Sequence, residues 1–586
     1  MHSKVIWTSR YQPGFITSVF STRSRMLLLV QLFVYLSLLM ASPAAHAETF
    51  YVSQNGGAVA GGSACNGQGT LSASWFNTAG NWSNPKVAGK IGPGDTVYAC
   101  GKFTGTAGGT MLFFQASGSS GNVITLLFDT GATFTAPYWL NGGSGNGGAI
   151  NTNGQSYLLI NGGNDCGWDP VSNTTKPCNG TIVNTANGTN LPYQAATIGI
   201  DVPANSTNIR VKNVDIHNMY QRTGTSNEDG NWTAQNCIKM ENSPTITNIT
   251  IDHTICHDVG WGIVGGTDNI FIGPGNDFYN ADHNIQSAPV HGFIFGNHFH
   301  DWGIWDNPAL SYHHDGFHCY SNSNGSAQVL YIYNNLFDGN VGSTMQAFVY
   351  LEGETSSTRC FVPNAKGPYL FNNIAISNAS HQSQYLPAGN SAGNTLQALF
   401  VNNMSFGNQP SSSGMYSVQF TANNNVMVRN NALGGAGILI GQKPTNVTYN
   451  GTIDYNRYEN CTGYNCFSAN GVSSGQFSAW QSGGNDPHGN AGFSTSNFFG
   501  VGSGCVAGSV AADCSPKSGS PLIKGGTNLY ALCAGQPNPG LGALCYDIKG
   551  QPRPQTGNWD IGAFNSSSSA ASSGPSAPTG LSAVVQ

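Results

Sequence analysis

The strongest constraint on this 586-residue chain is a degenerate repeat, apolar-x-Asn-x-x-apolar-x-Asn. It runs Val211, Asn213, Ile216, Asn218; then Phe371, Asn373, Ile376, Asn378; then Val401, Asn403, Phe406, Asn408. Weaker copies start at Ile251, Ile332 and Val428. Spacings run from about 27 to 40 residues, or roughly 22 where a copy near Ile272 is counted. Each copy is a short β-rich run followed by Gly, Asn and Ser turn residues. A unit this short cannot bury its apolar face alone, so copies stack into a solenoid, strand on strand. Asn at a fixed turn position can stack into a ladder and satisfy backbone groups with its amide. The irregular spacing places long loops on one face, where solenoids build their binding surfaces.

Composition excludes the alternatives. Only 8% of residues are charged while 78 are Gly, which rules out a coiled coil or helical bundle. With 11 Trp, 23 Tyr and 29 Phe the chain is too aromatic to be disordered. No Gly triplet runs through it, so it is not collagen-like.

Residues 1–47 read as an export signal. Arg23 and Arg25 precede an apolar run, Met26 to Met40, and Ala45-His46-Ala47 offers a cleavage site. The run is short for a membrane span, so no stable membrane insertion is expected after cleavage. Taking the four basic residues of 1–47 from 21 leaves 17 against 27 acidic, a net charge of −10. That argues against nucleic acid as a partner. All 14 Cys follow the signal and fall in neighbouring pairs: Cys65/Cys100, Cys166/Cys178, Cys237/Cys256, Cys319/Cys360, Cys461/Cys466, Cys505/Cys514 and Cys533/Cys545. In an exported chain they read as disulfides, although order alone does not fix the connectivity. The expected location is therefore extracellular or on the cell surface, and a monomer is the default.

Residues 241–358 hold no Lys or Arg, but nine His and twelve Asp or Glu. The densest stretch is Asp301-Trp302-Gly303-Ile304-Trp305-Asp306 followed by Tyr312-His313-His314-Asp315-Gly316-Phe317-His318. Stacking the coils on Ile200, Ile238, Ile263, Ile285, Phe317 and Phe348 as inward residues turns Asp201, Lys239, Val264, Gln286, His318 and Val349 outward. The same register lines up Trp261, His283 and Asp315. Adjacent coils lie about 4.8 Å apart. Asp282, His283, His314, Asp315 and His318 are thereby expected on one surface, with Glu352 one coil on. Carboxylates, imidazoles and Trp in one cleft suit a carbohydrate. Asp315 and Asp282 are the expected catalytic carboxyl pair, with Asp306, Asp258 or Glu352 as substitutes. His283, His314 and His318 would orient them or exchange protons. Trp261, Trp302, Trp305, Asp306, Glu352 and Lys239 are the expected substrate contacts. No metal ligands are expected: no Cys pair has zinc spacing, and neither a helix nor a known spacing supports His313, His314 and His318 as ligands.

Thr49-Phe50-Tyr51-Val52-Ser53 and Gly92-Pro93-Gly94-Asp95-Thr96-Val97-Tyr98 resemble the entry of right-handed parallel β-helix proteins of the pectate-lyase-like superfamily. Asp547 to Pro554 and Trp559 to Phe564 are similar to the closing segment of bacterial secreted members. The resemblance covers residues 48–564 and implies an all-β, right-handed parallel β-helix. It also implies a polysaccharide substrate, without choosing among lyases, hydrolases, esterases, epimerases and binding proteins. Asp315-Gly316 is similar to the Asp-Gly carrying a catalytic acid in polygalacturonase-type glycosidases, whose adjacent Asp pair and Arg-x-Lys are absent here. Glycoside hydrolysis is the favoured expectation and needs no cofactor. A polyuronate lyase or epimerase is the first alternative, with Lys239 as base and Ca²⁺ on Asp201 and Glu241. A non-catalytic, glycan-binding or adhesive surface module is the second. Residues 565–586 are a Ser-rich tail, in which Pro578-Thr579-Gly580-Leu581 resembles the start of a fibronectin type III module.

Overall fold

Short strands rich in Val, Ile and Phe, broken by Asn and Gly, need partners for their apolar faces. This chain supplies them by coiling on itself. The computed structural model describes residues 46–139, 147–186, 197–220, 235–305, 313–319, 327–351, 360–377, 383–387, 396–407, 416–420, 424–434, 438–442, 452–459, 466–469, 472–499 and 514–566. Nearly all of the expected export signal and of the Ser-rich tail lies outside the described residues, as do Asp306 and Glu352.

A coil has three strands. One runs Thr207–Lys212, Val214–Met219 and Gln235–Met240. The next begins with Thr247–Asp252, parallel to the first strand with Ile251 opposite Val211. The first strands of successive coils form a 15-stranded sheet, here sheet I. The second and third strands, sheets II and III, are joined into one 24-stranded assembly because Ile255–Val264 and Asp277–Gln286 run through the corner between them. Coil-to-coil pairing is parallel, as between Ile272 and Ile294 or Phe299 and Phe337. The fold is a right-handed parallel β-helix, the hand that crossovers between parallel strands adopt. Ile, Val and Phe fill the bore: Val211, Ile251, Ile272, Ile294 and Ile332 stack at one inward position and are fully buried. Trp82 and Phe76 close the N-terminal end of the core, and Trp480 lies against Phe467 at the other.

The corner from sheet I to sheet II is two residues long. Its first residue is left-handed: Asn213, His253, Asn334, Asn372, Asn402, Asn430 and Tyr455 have φ between 50 and 60°. Asn tolerates this conformation better than most residues, which explains its frequency there. The second residue points inward and is Asn in coil after coil. Asn276 donates to Asn297 at 2.9 Å, Asn297 to Asn335 at 3.0 Å, Asn335 to Asn373 at 3.0 Å and Asn373 to Asn403 at 3.0 Å. The row continues through Asn431 and Asn456 to Asp486. Each amide also donates to the carbonyl that ends the strand one coil back, as Asn373 does to Ile332 at 2.8 Å.

The ladder expected from the repeat is therefore present, with one correction. The copies starting at Val211, Ile251, Ile332 and Val428 align with Leu370 and Phe400, not with Phe371 and Val401. The cause is the doubled Asn. In Asn372-Asn373 the first takes the left-handed corner and the second the ladder, whereas in the Val211 copy Asn213 is the corner residue and Val214 follows it inward.

Long connections fall on both edges of sheet III, as between Met219 and Gln235, His300 and His314, and Leu351 and Phe361. Outside sheet I, the rings of Phe271, Phe293 and Tyr331 stack at 4.6 and 5.0 Å. The C-terminal segment covers them with Leu529, Leu544 and Trp559. It also caps the corner amides: Asn372 donates to Tyr546 O and Asn430 to Thr527 O. Five disulfides join Cys65/Cys100, Cys166/Cys178, Cys237/Cys256, Cys319/Cys360 and Cys533/Cys545, each a neighbouring pair in sequence. Cys466 and Cys514 are disulfide-bonded too, while Cys461 and Cys505 lie outside the described residues. Among the described residues no helix is long and apolar enough to cross a membrane.

Removing one rung tests the ladder. In Asn373→Ala the amide donors of Asn335 lose their acceptor and Ile332 O loses its donor. The expected loss is roughly 3 kcal/mol, read from denaturant unfolding. Asn373→Asp, nearly isosteric, is expected to do no better at neutral pH, because its second oxygen would face Ile332 O. Losses below about 1 kcal/mol for both variants would mean that packing alone holds the corner.

Candidate functional site

The site lies on sheet III. Its register there is Asn236, Trp261, His283, Asp315 at one level and Asp201, Lys239, Val264, Gln286, His318, Tyr350 at another. This is the expected alignment except in its last coil. Phe317 pairs with Val349, not with Phe348, and the outward residue beyond His318 is Tyr350, not Val349. The pairing slips between His314 and Asp315, which face Met345 and Ala347, so Gln346 is an extra residue on the later strand.

In a regular strand Asp315 and His318 would point to opposite faces, because side chains alternate. Here they share one. The residues between them, Gly316 and Phe317, both lie toward the bore. Phe317 is fully buried, and a Cβ on Gly316 would stand 3.1 Å from the Phe337 ring and 2.5 Å from Phe348 O. Gly262 repeats the arrangement one face-level over Asn284, its absent Cβ aimed 3.2 Å from the Cys256 sulfur. The same position holds Cys237 and Asn284 in other coils, both fully buried, so two consecutive residues turn inward in each of these strands. At Gly316 the Phe337 ring and Phe348 carbonyl leave no room for a side chain, and the double inward step puts Asp315 and His318 on the same surface.

Four side chains converge there. Nε2 of His313, Nε2 of His283 and Nδ1 of His318 lie 3.0, 3.3 and 3.7 Å from Asp315 Oδ2. The other oxygen, Oδ1, accepts from Ala347 N at 3.1 Å. Asp315 is fully buried, His283 and His318 nearly so, and the His313 side chain is 34% exposed. Asp282 supports the group from beside it. Its Oδ2 lies 3.0 Å from His283 Nδ1 and its Oδ1 2.5 Å from His314 Nδ1. His314 Nε2 in turn lies 2.6 Å from Thr344 Oγ1.

Burial would raise the pKa of Asp315, but the imidazoles around it, His313 first, hold its carboxyl well below the usual carboxylate range. Asp282 is held down likewise, against burial, by His283 and His314. Burial disfavours the charged form of His283, yet Asp282 and Asp315 outweigh it and raise its pKa to about 10. Both carboxylates are therefore ionised at neutral pH and joined through one imidazole.

The structure brings Asp282, His283, His314, Asp315 and His318 together, as expected. His313, named in the sequence run but not among the expected site residues, belongs with them. The signal for it was the crowding of His313-His314-Asp315-Gly316-Phe317-His318, but deciding which His faces Asp315 required the double inward step. Trp261 stacks on His283 at 4.7 Å between ring centres, and Tyr350 stacks on His318 at 5.0 Å. Two expected surface tryptophans are elsewhere. Trp302 is fully buried, its ring tilted against Phe348 and its indole donating to Asn284 Oδ1 at 2.7 Å, because the residue after the left-handed Asp301 turns inward. Trp305 is buried at the corner, its indole donating to Asn280 O at 2.8 Å.

Lys239 is three coils from His318, about 14 Å along the sheet. Its ammonium lies 2.9 Å from Glu241 Oε1, beside Asp201, whose pKa burial raises to about 6 against the pull of Lys239. Asp201 Oδ2 accepts from Gly147 N at 3.2 Å and Asn151 Nδ2 at 3.1 Å, so the group offers Ca²⁺ few free oxygens of the six to eight it takes.

A second row of imidazoles runs along sheet II. The rings of His217, His257, Tyr279 and His300 stack at 4.6, 4.4 and 4.9 Å. Their nitrogens are taken by carboxylates: His217 Nδ1 by Asp215 at 2.9 Å, His257 Nδ1 by Asp258 at 2.6 Å and His300 Nδ1 by Asp301 at 2.7 Å. Within residues 241–358, which hold no Lys or Arg, His298 and His300 are the side chains that face the buried Asp277.

No family model matches the sequence, and no curated protein does. Among solved structures the chain is similar to pectate lyase Pel9A, at 15% identity over 89% of this chain and 98% of that one, with a TM-score of 0.35. It is also similar to the A-module of the mannuronan C-5 epimerase AlgE6 of Azotobacter vinelandii, at 12% identity over 62% and 85%, with a TM-score of 0.29. A family 28 exopolygalacturonase of Yersinia enterocolitica follows at 12% identity over 65% and 70%, with a TM-score of 0.19. The fold assignment itself rests on the strand register above.

Two outcomes are expected from this geometry. Gly316→Ala should cost about 1–3 kcal/mol, because its Cβ meets the Phe348 carbonyl, and an unchanged unfolding midpoint would refute the double inward step. The pKa of His257 is raised to about 9, Asp215 and Asp258 outweighing burial. Its stabilisation is complete below about pH 6.5 and is lost as pH rises through 9, an effect on the order of 2–3 kcal/mol. Thermal unfolding followed from pH 6.5 to 9.5 should show this decline, and His257→Gln should flatten it.

Proposed function

We propose that this protein is a secreted enzyme acting on an extracellular polysaccharide, with its reactive centre at His283, His313, Asp315 and His318. The observation that carries the reading is their convergence. Side chains from sequence-distant strands meet on one outward surface because the coils stack and each strand takes the double inward step. Holding a carboxylate and two imidazoles nearly out of water is costly unless the arrangement is used. Trp261 and Tyr350 flank the centre along the helix axis, giving a row of rings repeated coil by coil at about 4.8 Å. Such a row suits a polymer of repeating rings, and the disulfides suit an oxidising compartment.

Glycosidic-bond cleavage is the favoured reaction. The hydrolytic pattern with two carboxyl groups on opposite sides of the bond is less well supported by this geometry, since Asp282 and Asp315 lie on either side of His283 and both are ionised. Proton transfer would then fall to the imidazoles, with the exposed His313 nearest to solvent. That favours β-elimination or epimerisation of a uronic acid as the second reading, since a single base can begin either reaction.

The test is incubation of the purified protein with neutral and acidic polysaccharides, following reducing ends and the ultraviolet absorbance of unsaturated products. Asp315→Asn should slow turnover at least about 100-fold with the fold intact by circular dichroism. Full activity in that variant would remove the centre. Binding without turnover on every glycan would leave a non-catalytic surface module.

A further inference from the structure

We propose that His283 Nε2, His313 Nε2, Asp315 Oδ2 and His318 Nδ1 form a binding site for one divalent transition-metal ion. The four residues offer ligand atoms that all lie within 4.8 Å of one another. Bonds of about 2.1 Å place neighbouring ligand atoms about 3.0–3.4 Å apart at right-angled to tetrahedral geometry. The distances from Asp315 Oδ2 to the His313 and His283 nitrogens, 3.0 and 3.3 Å, fall in that range, and the 3.7 Å to His318 needs only a small closure.

Two observations support a ligand site at this cluster. Asp315 Oδ2 is fully buried and accepts no hydrogen bond, although three ring nitrogens surround it. Nitrogens that face an oxygen without hydrogen-bond alignment are placed as ligands around a common centre are placed. The second observation is the support of His283. Its Nδ1 is engaged by the buried carboxylate of Asp282, which leaves Nε2 directed at the cluster. A carboxylate behind a histidine fixes its tautomer and orientation for metal binding. The clusters of sheet II share this support, with Asp258 behind His257 and Asp301 behind His300, but differ on the first point: both oxygens of Asp277 have hydrogen-bond partners, Thr175 Oγ1 at 2.6 Å and His300 Nε2 at 3.2 Å.

Three imidazoles and one carboxylate oxygen select the chemistry of the ion. Zinc, iron, cobalt, nickel and copper suit nitrogen-rich sites, whereas Ca²⁺ and Mg²⁺ need oxygen. The inference names a cofactor for the proposed centre, and its catalytic meaning rests on that reading, but ion binding itself requires no glycan.

The experiment uses the full-length exported protein without a histidine tag, stripped with chelator and dialysed. Titration with Zn²⁺ by calorimetry, and with Co²⁺ by visible absorption, should show one ion per chain and the d–d bands of a nitrogen-rich site. His313→Ala, at a partly exposed position, should keep the fold and weaken binding at least about tenfold, and Asp282→Asn should weaken it about 10–100-fold. His217→Ala, in the sheet II row, should leave the stoichiometry unchanged. Absence of a bound ion, or undiminished affinity in His313→Ala, overturns the site. Ion binding without activity on any glycan upholds the site and defeats the enzymatic reading, whereas activity retained in metal-stripped protein defeats the inference that the ion serves the centre.

Discussion

The two-residue corner between sheets I and II sets the register of everything that follows. Its left-handed first residue reverses the chain within one step, and its inward second residue hydrogen-bonds the same residue one coil on. A parallel stack held by apolar side chains alone could slide, because Ile over Val is nearly as good as Ile over Ile. An amide that must donate to the coils behind and ahead, and accept from the coil behind, permits one register. Seven Asn rungs, from Asn276 to Asn456, then end on Asp486, which Tyr458 also meets through its hydroxyl at 2.6 Å.

From that pinned register the site follows geometrically. Sheet III carries that register on through its own parallel ladder, which sets Trp261, His283 and Asp315 opposite one another. What the ladder does not specify is direction. That comes from the double inward step at Cys237, Gly262, Asn284 and Gly316, which one position of the stack repeats in successive coils. Two consecutive inward residues thus decide which face their neighbours on either side occupy.

The fold was legible because its causes are local. Asn beside Asn, after an apolar residue and before another, is a corner wherever it occurs, and neighbouring Cys closed the loops their order suggested. The site was legible only as far as parity could be guessed. Asp282, His283, Asp315 and His318 came together because Ile285 and Phe317 were taken as inward, and they are. Trp302 was misplaced because nothing in Asp301-Trp302-Gly303 announces that Asp301 is left-handed and turns the next indole into the core. Phe348 slipped by one because a bulge at Gln346 leaves no mark on composition.

The absence of Lys and Arg from residues 241–358 has a physical consequence for the acids there. A carboxylate taken out of water needs a positive partner, and on this stretch imidazole is the side chain that can provide one. Imidazole differs from ammonium in having two nitrogens, so each ring can hold one acid and still present a second nitrogen elsewhere. On sheet II the nitrogens of His298 face the carboxylates of Asp277 and Asp338, and both oxygens of Asp277 have hydrogen-bond partners. On sheet III the chain Thr344, His314, Asp282, His283 leads to Asp315, whose Oδ2 no hydrogen bond satisfies although three imidazole nitrogens surround it. Three rings around one unsatisfied carboxylate oxygen is the arrangement on which the proposed ion site rests.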